Sequence, residues 1–377
     1  MNMCKIYLAS SFSNTPIALF YRKKLRGVTS RREVQFEKGV YFYEKCPPML
    51  FHTICKISGL AKNHPCHYMC HPLHLISPYA RASQKAIEDS YESLQDLAPG
   101  STRISSCCQI VLLRIESKQK SNFIKFIQLS VWGNRCDLSI SAGENVAQRD
   151  DLVTSLNRLR SNLIANHSNE LWKLLSALPE DQRDIVFILD NAGFELVIDF
   201  CLAAFLIESG LATSITFHVK TRPWFVSDTL KEDFLWTVDT LRNMESEVGQ
   251  LGAMWETYLT EGRWKVIENR FWTSSYDFAS MSDIDCGLYT ELSKASLLIF
   301  KGDLNYRKLV GDLDWPCETD FQRSLRGFTP APLVALRTAK GGPVVGLGRG
   351  VEQQTATQAA DWNTSGEYGM IQLCFFC

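Results

Sequence analysis

The stretch IVFILDNAGFELVIDF, residues Ile185–Phe200, decides the fold of this chain. Five apolar residues lead into Asp190 and Asn191, and Gly193 then allows a tight turn before an apolar helix that begins near Phe194. A short, continuous apolar run is typical of a strand that is buried on both faces of a parallel sheet. Because open α/β sheets bind ligands where their strands end, an acid beside an amide at this point indicates a functional site.

Apolar runs of strand length recur further along the chain, and helical patterns separate them. We predict strands at Ile185–Leu189, Ser214–Lys220, Leu297–Phe300 and Pro332–Arg337, and helices at Glu195–Ile207 and Thr229–Asn243. Strands that alternate with helices predict an α/β fold, in which a mainly parallel central sheet has helices on both faces (α/β/α).

Local patterns outside these runs complete the predicted organisation. Ser83–Leu97 and Asn122–Trp132 have helical patterns, and the first part of the chain is otherwise irregular. Thr229 and Glu232 have the spacing of a capping box at the start of a helix. The segment Lys340–Gln358 is rich in Gly, Thr and Gln, and we predict that it is a loop.

The composition is that of an ordinary soluble globular protein. Of 377 residues, 45% are hydrophobic and 21% are charged, and the formal net charge is -1. Since basic residues are not in excess, we expect no nucleic-acid partner and no attraction to an anionic membrane surface. No apolar run is long enough to span a bilayer. A small phosphorylated substrate remains compatible with this composition, because a few local basic groups can bind it.

The cysteines do not indicate a disulfide framework. Thirteen of them are scattered along the sequence, and the number is odd. We interpret most as reduced packing residues of a cytoplasmic protein, for which a nuclear location is also allowed. Six His and Cys residues lie between His64 and His74, but their spacing matches no standard zinc finger, so we predict no zinc site there.

Asp190, Asn191 and Asp228 are the candidate metal ligands. Each follows a predicted strand, and hard divalent cations prefer oxygen ligands such as carboxylates and carboxamides. If the two strands are neighbours, the three side chains converge on one cation. The alternative is that these residues only cap helices and form turns, which is a common role for Asp and Asn before a helix.

The third strand end, LLIFKGDLNYRKLVGD at residues 297–312, carries polar groups suited to phosphate or sugar oxygens. Asn305 and Arg307 alternate with Leu304 and Tyr306, which predicts one polar face and one packed face. The alternative is a solvated, charged turn.

The fourth strand end, TPAPLVALRTAK at residues 329–340, delivers Arg337, Thr338 and Lys340. A lone basic strand end is usually surface. Beside a metal and acid site, however, these cations would hold a phosphate.

Six segments resemble motifs of the DUF89 family of metal-dependent damage-control phosphatases, in particular its acidic residue methyltransferase 1 or sugar phosphate phosphatase branch. In order between Ser130 and Gln372 they are SVWGNRCDLSIS, DNAGFELVIDF, PWFVSDT, FKGDLNYRKLVGD, PAPLVALRTAK and WNTSGEYGMIQ. The resemblance implies an α/β domain over residues 126–377, which follows a divergent, mainly helical region over residues 1–125. It is weaker in that first region, where only IALFYRKKL is similar to the family's helical segment.

The resemblance also implies which residues form the site. It makes Asp190, Asn191 and Asp228 the ligands of Mn²⁺, Co²⁺ or Ni²⁺, and it leaves open whether Asp190 is a ligand or the nucleophile. It places Asn134 and Asp137 at or near the pocket. The residues that it places around the substrate are Asp303, Leu304, Asn305, Tyr306, Arg307, Lys340 and Glu195.

The resulting hypothesis is a metal-dependent phosphatase of small phosphorylated metabolites, sugar phosphates such as fructose 1-phosphate among them. An alternative implied by the same branch is carboxyl methylation of protein glutamates with S-adenosylmethionine, although the sequence has no GxGxG loop after a first strand. The divergent N-terminal region suggests a third alternative, a non-catalytic binding protein. The sequence does not define the oligomeric state.

Overall fold

One seven-stranded sheet organises the part of the chain that the structure, a computed structural model, describes, namely residues 119–133, 160–225, 227–244 and 247–375. The strand order is β1-β7-β6-β5-β2-β3-β4. Strands β2 to β6 are parallel to their neighbours among themselves, whereas β7 is antiparallel to β6 and parallel to β1. The strands are β1 (Leu163–Asn166), β2 (Asp184–Ile188), β3 (Ser214–Lys220), β4 (Trp264–Asn269), β5 (Leu297–Lys301), β6 (Leu333–Thr338) and β7 (Gly369–Cys374).

Helices cover both faces of this sheet. Within the described residues they are α1 (Gln119–Gly133), α2 (Ser168–Ala177), α3 (Phe194–Glu208), α4 (Lys231–Arg242), α5 (Glu247–Thr260), α6 (Met281–Ile284), α7 (Cys286–Leu292), α8 (Gly302–Leu309), α9 (Phe321–Ser324) and α10 (Val351–Gln358). Short 3-10 helices occur at Arg160–Asn162, Arg270–Thr273 and Phe278–Ser280. None of the helices in these ranges combines the length and the apolar character that crossing a membrane requires.

Side chains of the central strands alternate between two cores. In β2, Ile185 and Phe187 pack in a core with helices α1 to α5, whereas Val186 and Ile188 pack with helices α6 to α9. Phe200 of α3 contacts four aromatic rings of the first core, with ring centroids 4.5 to 5.8 Å away. Burial on both faces explains why β2 reads as a continuous apolar run. The predicted α/β/α fold is therefore confirmed.

The predicted elements match the structure closely where the apolar pattern is continuous. Strand β3 has its predicted range, and β2, β5 and β6 differ from theirs by no more than one residue at either end. Helices α1, α3 and α4 correspond to the predictions at Asn122–Trp132, Glu195–Ile207 and Thr229–Asn243. The predicted helix at Ser83–Leu97 lies outside the described residues. The division between residues 1–125 and 126–377 stays a prediction.

Two local predictions were wrong. Residues 351–358, predicted as part of a loop, form helix α10. This helix buries only Thr355, and its sequence therefore lacks the apolar face by which a helix can be recognised. The capping pair of α4 lies one residue later than predicted, because the backbone N–H of Leu230 donates to Asp233 Oδ2 at 2.9 Å.

Three strands of the described sheet were not predicted from the sequence. Strands β1 and β4 lie at the edges of the sheet and are only partly buried, so they lack a continuous apolar run. In β7 the buried Gln372 interrupts the apolar pattern.

Candidate functional site

The strand ends bring the predicted ligands together. Strand β2 lies between β5 and β3, and the loop after β3 folds back against the loop after β2. Asn191 and Asp228 pair as an isolated antiparallel bridge. The backbone N–H of Thr229 donates to the carbonyl oxygen of Asp190 at 2.9 Å, and that of Ala192 donates to the carbonyl oxygen of Ser227 at 2.7 Å. The sequence-predicted neighbourhood of Asp190, Asn191 and Asp228 is therefore present.

A lysine that the sequence analysis did not assign to the site lies between the two carboxylates. Lys220, the last residue of β3, places its Nζ 2.7 Å from Asp228 Oδ1 and 3.2 Å from Asp190 Oδ1. All three side chains are buried. We call Asp190, Asn191, Asp228 and Lys220 the ligand cluster. An ammonium group at this point offsets the repulsion between two buried carboxylates.

The charges of the ligand cluster perturb one another. Burial raises the pKa of Asp228, and the neighbouring Lys220 lowers it only in part. For Lys220, burial disfavours the charged form, but Asp228 and then Asp190 outweigh burial and raise the pKa of the ammonium group. The two carboxylates therefore favour the charged form of Lys220.

The backbone fixes the second carboxylate oxygen of Asp228. Its Oδ2 accepts hydrogen bonds from the backbone N–H groups of Trp224 and Phe225, at 2.6 and 2.8 Å. These donors belong to the PWFVSDT segment, which explains why the loop needs an acid at this position. The position of Asp228 thus depends on the loop backbone as well as on Lys220.

The carboxamide of Asn191 has partners on both sides. Its Nδ2 donates to Asp190 Oδ2 at 3.0 Å and to Glu195 Oε2 at 2.8 Å, whereas its Oδ1 accepts from Ser227 Oγ at 2.7 Å. Carboxylates accept and a hydroxyl can donate, so these partners define which end of the amide is oxygen. Ser227 and Glu195 therefore orient Asn191.

A second buried cation lies beneath the ligand cluster. Lys301 is the last residue of β5, and its Nζ is 3.2 Å from both Glu195 Oε1 and Asp199 Oδ1 of α3. Ser130 of α1 donates from Oγ to Asp199 Oδ1 at 2.6 Å, and its carbonyl oxygen accepts from Lys301. We call Lys301, Glu195, Asp199 and Ser130 the support cluster. It joins α1, α3 and β5 and contacts the ligand cluster through Glu195.

Both acids of the support cluster are hard to ionise. Burial raises the pKa of Glu195 to about 7, although Lys301 acts in the opposite direction. Burial likewise raises the pKa of Asp199 to about 6, again against the effect of Lys301. One ammonium group does not fully offset the desolvation of two carboxylates.

Gly302 allows helix α8 to begin directly against Asp190. Its φ is +82°, a conformation that favours glycine, and a Cβ atom at this position would lie 1.8 Å from Asp190 Oδ2. In the structure, the group that approaches the glycine is the carboxylate of Asp190.

Helix α8 carries the predicted substrate residues, but most of them contact protein groups. Asn305 is buried, and its Nδ2 donates to the carbonyl oxygens of Ile188, Leu189 and Lys301 at 2.9 to 3.3 Å. Leu304 is also buried. The alternation of a polar and a packed face was therefore wrong, since the segment is helical and its central asparagine points inward.

Arg307 differs from these residues because it is partly exposed. Its guanidinium group donates to both carboxylate oxygens of Asp312, at 2.7 and 2.8 Å. The buried ring of Tyr306 carries a hydroxyl that accepts from the backbone N–H of Val345 at 3.2 Å. Of the residues 304–307, Arg307 is the one whose side chain reaches solvent.

The basic strand end of β6 divides into a buried and a partly exposed cation. Arg337 is fully buried and donates to Asp303 Oδ1 at 2.8 Å and to the carbonyl oxygens of Pro343 and Gly341 at 2.6 Å. It therefore orients Asp303 and the loop after β6. Lys340 is partly exposed, so its ammonium group is the more accessible cation of this strand end. Asn134, Asp137 and the segment His64–His74 lie outside the described residues.

The chemistry of the donor set fits a hard divalent cation. Two carboxylates and one carboxamide supply oxygen donors at the adjoining ends of β2 and β3. The described ranges contain no group of three or more His, Cys, Asp or Glu side chains that could hold a metal ion, and the third oxygen donor of this set is the amide of Asn191. The two carboxylates already have a cationic partner in Lys220.

The lysines at the ends of β3 and β5 are a sequence signal that could have indicated the two clusters. Lys220 and Lys301 each end a run of otherwise mostly apolar residues, where a charge is costly unless it is paired. Asp199 and Ser130 gave no comparable signal, because each lies inside an apolar helix whose partners come from other elements.

Comparison with known proteins gives a consistent result. A family model described as the damage-control phosphatase ARMT1-like domain matches residues 50–355. Damage-control phosphatase ARMT1 of Danio rerio is 39% identical over 312 residues, which cover 81% of this chain and 69% of that protein. The protein of the same name from Homo sapiens is 41% identical over 263 residues, which cover 68% of this chain and 60% of that protein.

This chain also aligns with a solved structure. A DUF89 family protein from Pyrococcus horikoshii aligns with 82% of this chain and 76% of its own at 14% identity, with a TM-score of 0.36.

Proposed function

Because the chain belongs to the family of damage-control phosphatases with an ARMT1-like domain, we propose that it is a metal-dependent phosphatase of small phosphorylated metabolites. Sugar phosphates such as fructose 1-phosphate are the substrates that we put first. The observation that carries the proposal is the convergence of Asp190, Asn191 and Asp228 at the adjoining ends of two parallel strands. The relatives are named as phosphatases, which favours phosphoryl transfer over methyl transfer.

The ligand cluster would hold the divalent ion through the oxygens of Asp190, Asn191 and Asp228. When bound, Mn²⁺, Co²⁺ or Ni²⁺ would supply Lewis acidity toward a phosphoryl oxygen. The chain's own task is to keep these oxygens in place. Asp228 Oδ2 is fixed by two backbone N–H groups, and the Asn191 amide is oriented by Ser227 and Glu195. Such preorganisation lowers the cost of reaching the reactive geometry.

Cations from two other elements would bind the phosphate. Lys340, two residues after β6, and Arg307 on α8 are both partly exposed and so can meet a soluble anion. The guanidinium group of Arg307 is held in one orientation by Asp312. Asp303, oriented by Arg337, is the acceptor that we assign to a sugar hydroxyl. Fixed cations of this kind offset the charge that develops on phosphoryl oxygens.

Phosphate release from a panel of sugar phosphates tests the proposal. Chelator-treated protein should be inactive and should regain activity with Mn²⁺, Co²⁺ or Ni²⁺. Asp190→Ala should abolish the metal-restored activity, whereas Asp239→Ala, which removes an exposed acid of α4, should not change it. Release that needs no metal, or that survives Asp190→Ala in folded protein, would contradict the proposal.

A further inference from the structure

The position of Lys220 suggests a role beyond structural support. Its ammonium group contacts the Oδ1 atoms of both acidic residues of the ligand cluster and is 3.4 Å from the carbonyl oxygen of Asp190. Those Oδ1 atoms belong to the same two carboxylates that would bind a divalent ion under the proposed function. A cation of the protein itself therefore already lies where two ligands meet.

The carboxylates do not depend on Lys220 alone for their positions. Asp228 Oδ2 accepts from two backbone N–H groups, and Asp190 Oδ2 accepts from Asn191 and lies against the backbone of Gly302. The backbone N–H of Thr229 also binds the carbonyl oxygen of Asp190. Removal of the ammonium group would therefore change the charge of the cluster more than its shape.

The charge balance of the buried groups points in the same direction. Asp190 and Asp228 carry two negative charges against the single positive charge of Lys220. A divalent ion bound by the same carboxylates would share their oxygens with the ammonium group, and two cations within a few ångströms repel each other strongly in a buried site. The ammonium group thus stabilises the metal-free cluster and opposes the metal.

We propose that Lys220 is a resident cation of the ligand cluster, which offsets the charges of Asp190 and Asp228 without metal and thereby weakens the binding of a divalent ion. This inference rests on the proposed function, because it assumes that the ligand cluster binds metal. It makes Lys220 a residue whose charge sets the metal affinity of the site.

Calorimetric titration of the full chain with Mn²⁺ at neutral pH tests the inference. Lys220→Gln keeps a hydrogen-bond donor but removes the charge, and we expect its Kd for Mn²⁺ to fall at least tenfold. Lys220→Arg keeps the charge and should bind Mn²⁺ no more tightly than the wild-type chain. Lys308→Gln controls for the loss of a buried lysine side chain, because Lys308 is equally buried but donates to the carbonyl oxygens of Phe271, Trp272 and Ser274. Its Kd for Mn²⁺ should not fall tenfold. An unchanged or higher Kd for folded Lys220→Gln would overturn the inference.

A second measurement covers the case in which Lys220→Gln folds poorly without metal. A bound ion stabilises the folded state in proportion to the logarithm of its concentration relative to Kd. Mn²⁺ should therefore raise the melting temperature of Lys220→Gln more than that of the wild-type chain, and absence of this extra rise would also overturn the inference. If the wild-type chain binds no Mn²⁺ and Asp228→Asn behaves identically, the proposed function itself fails.

Discussion

Lys220 and Lys301 are the last residues of β3 and β5, the two strands on either side of β2, and each is buried against two acidic groups. The carboxylates that Lys220 contacts come from loops after strands, where a ligand can approach. Those that Lys301 contacts, Glu195 and Asp199, come from one helix and face inward. The same residue type at equivalent strand ends thus serves a proposed ligand site in one case and the assembly of helix and sheet in the other.

Each cluster also accepts a hydrogen bond from one serine hydroxyl. Ser227 Oγ donates to the Asn191 carboxamide at 2.7 Å, and Ser130 Oγ donates to the Asp199 carboxylate at 2.6 Å. The local sequence pattern of a strand-end lysine therefore does not reveal its role. The element that supplies the acids decides whether the cation affects binding or stability.

A substitution at Gly302, which lies between Lys301 and the Asp190 carboxylate, should have the largest effect on the two clusters. Gly302→Ala should destabilise the fold by more than about 4 kcal/mol, because its Cβ atom would overlap the Asp190 carboxylate and its φ is positive. Gly262→Ala has a similar φ of +73° with nothing within 4 Å of its Cβ, so it should cost only about 1–2 kcal/mol. Urea unfolding of both variants measures the difference. Equal losses would show that backbone strain, and not contact with Asp190, explains the glycine.

Removal of the cation from the support cluster should have the next largest effect. Lys301→Met leaves Glu195 and Asp199 buried without a cation, and breaking a buried ion pair in this way typically costs about 3–5 kcal/mol. The triple variant Lys301→Met/Glu195→Gln/Asp199→Asn should recover much of this loss, because it leaves no unpaired charge. Thermal unfolding followed by circular dichroism measures both. If the triple variant is no more stable than Lys301→Met, packing of the lysine stem rather than its charge is responsible.

The acids of the support cluster should also give a pH dependence of stability. Burial raises the pKa of Asp199 from 3.8 to about 6, so the folded state binds more protons than the unfolded state between these values. Stability contributed by protonated Asp199 is therefore present below about pH 4 and is lost as the pH rises to about 6. The loss is on the order of 3 kcal/mol, at about 1.4 kcal/mol per pKa unit.

Asp199→Asn checks this pH effect directly. The variant cannot ionise, so its free energy of unfolding relative to the wild-type chain should increase between pH 4 and pH 7. Asp239→Asn, at an exposed position of α4, is the control and should show no such increase. A difference between wild type and Asp199→Asn that does not vary with pH would contradict the raised pKa.

Much of this architecture is readable in the sequence, and the part that is not has a physical reason. Apolar runs located β2, β3, β5 and β6 because strands buried on both faces leave a continuous local signal. The acid and amide after β2 were recognised by the same logic. The pairing of Lys220 with Asp228 could be recognised only once β3 was known to neighbour β2, and this neighbourhood is a property of the sheet and not of any segment.

Asn305 illustrates the same limit within the candidate site. Its residue type and position after a strand suggested a contact with a sugar hydroxyl. In the structure its amide donates to three backbone carbonyls, two of which belong to the end of β2 and the loop that follows it. Whether a polar side chain points inward depends on the helix that carries it, and the sequence analysis did not predict that α8 begins directly at Gly302.

Substitution of the two serines should have the smallest effects, and these effects distinguish the roles of the two clusters. Ser227→Ala and Ser130→Ala each remove one buried hydrogen bond, with an expected loss of about 1 kcal/mol for the amide partner and about 1–3 kcal/mol for the carboxylate partner. If the two clusters have the roles assigned to them, Ser227→Ala should weaken Mn²⁺ binding several-fold, because the Asn191 carboxamide loses the donor that orients its oxygen. Ser130→Ala should lower the melting temperature and leave the Kd for Mn²⁺ within twofold of the wild-type value. Calorimetric titration beside thermal unfolding separates the two effects, and equal changes in Kd for both variants would remove the distinction between the ligand cluster and the support cluster.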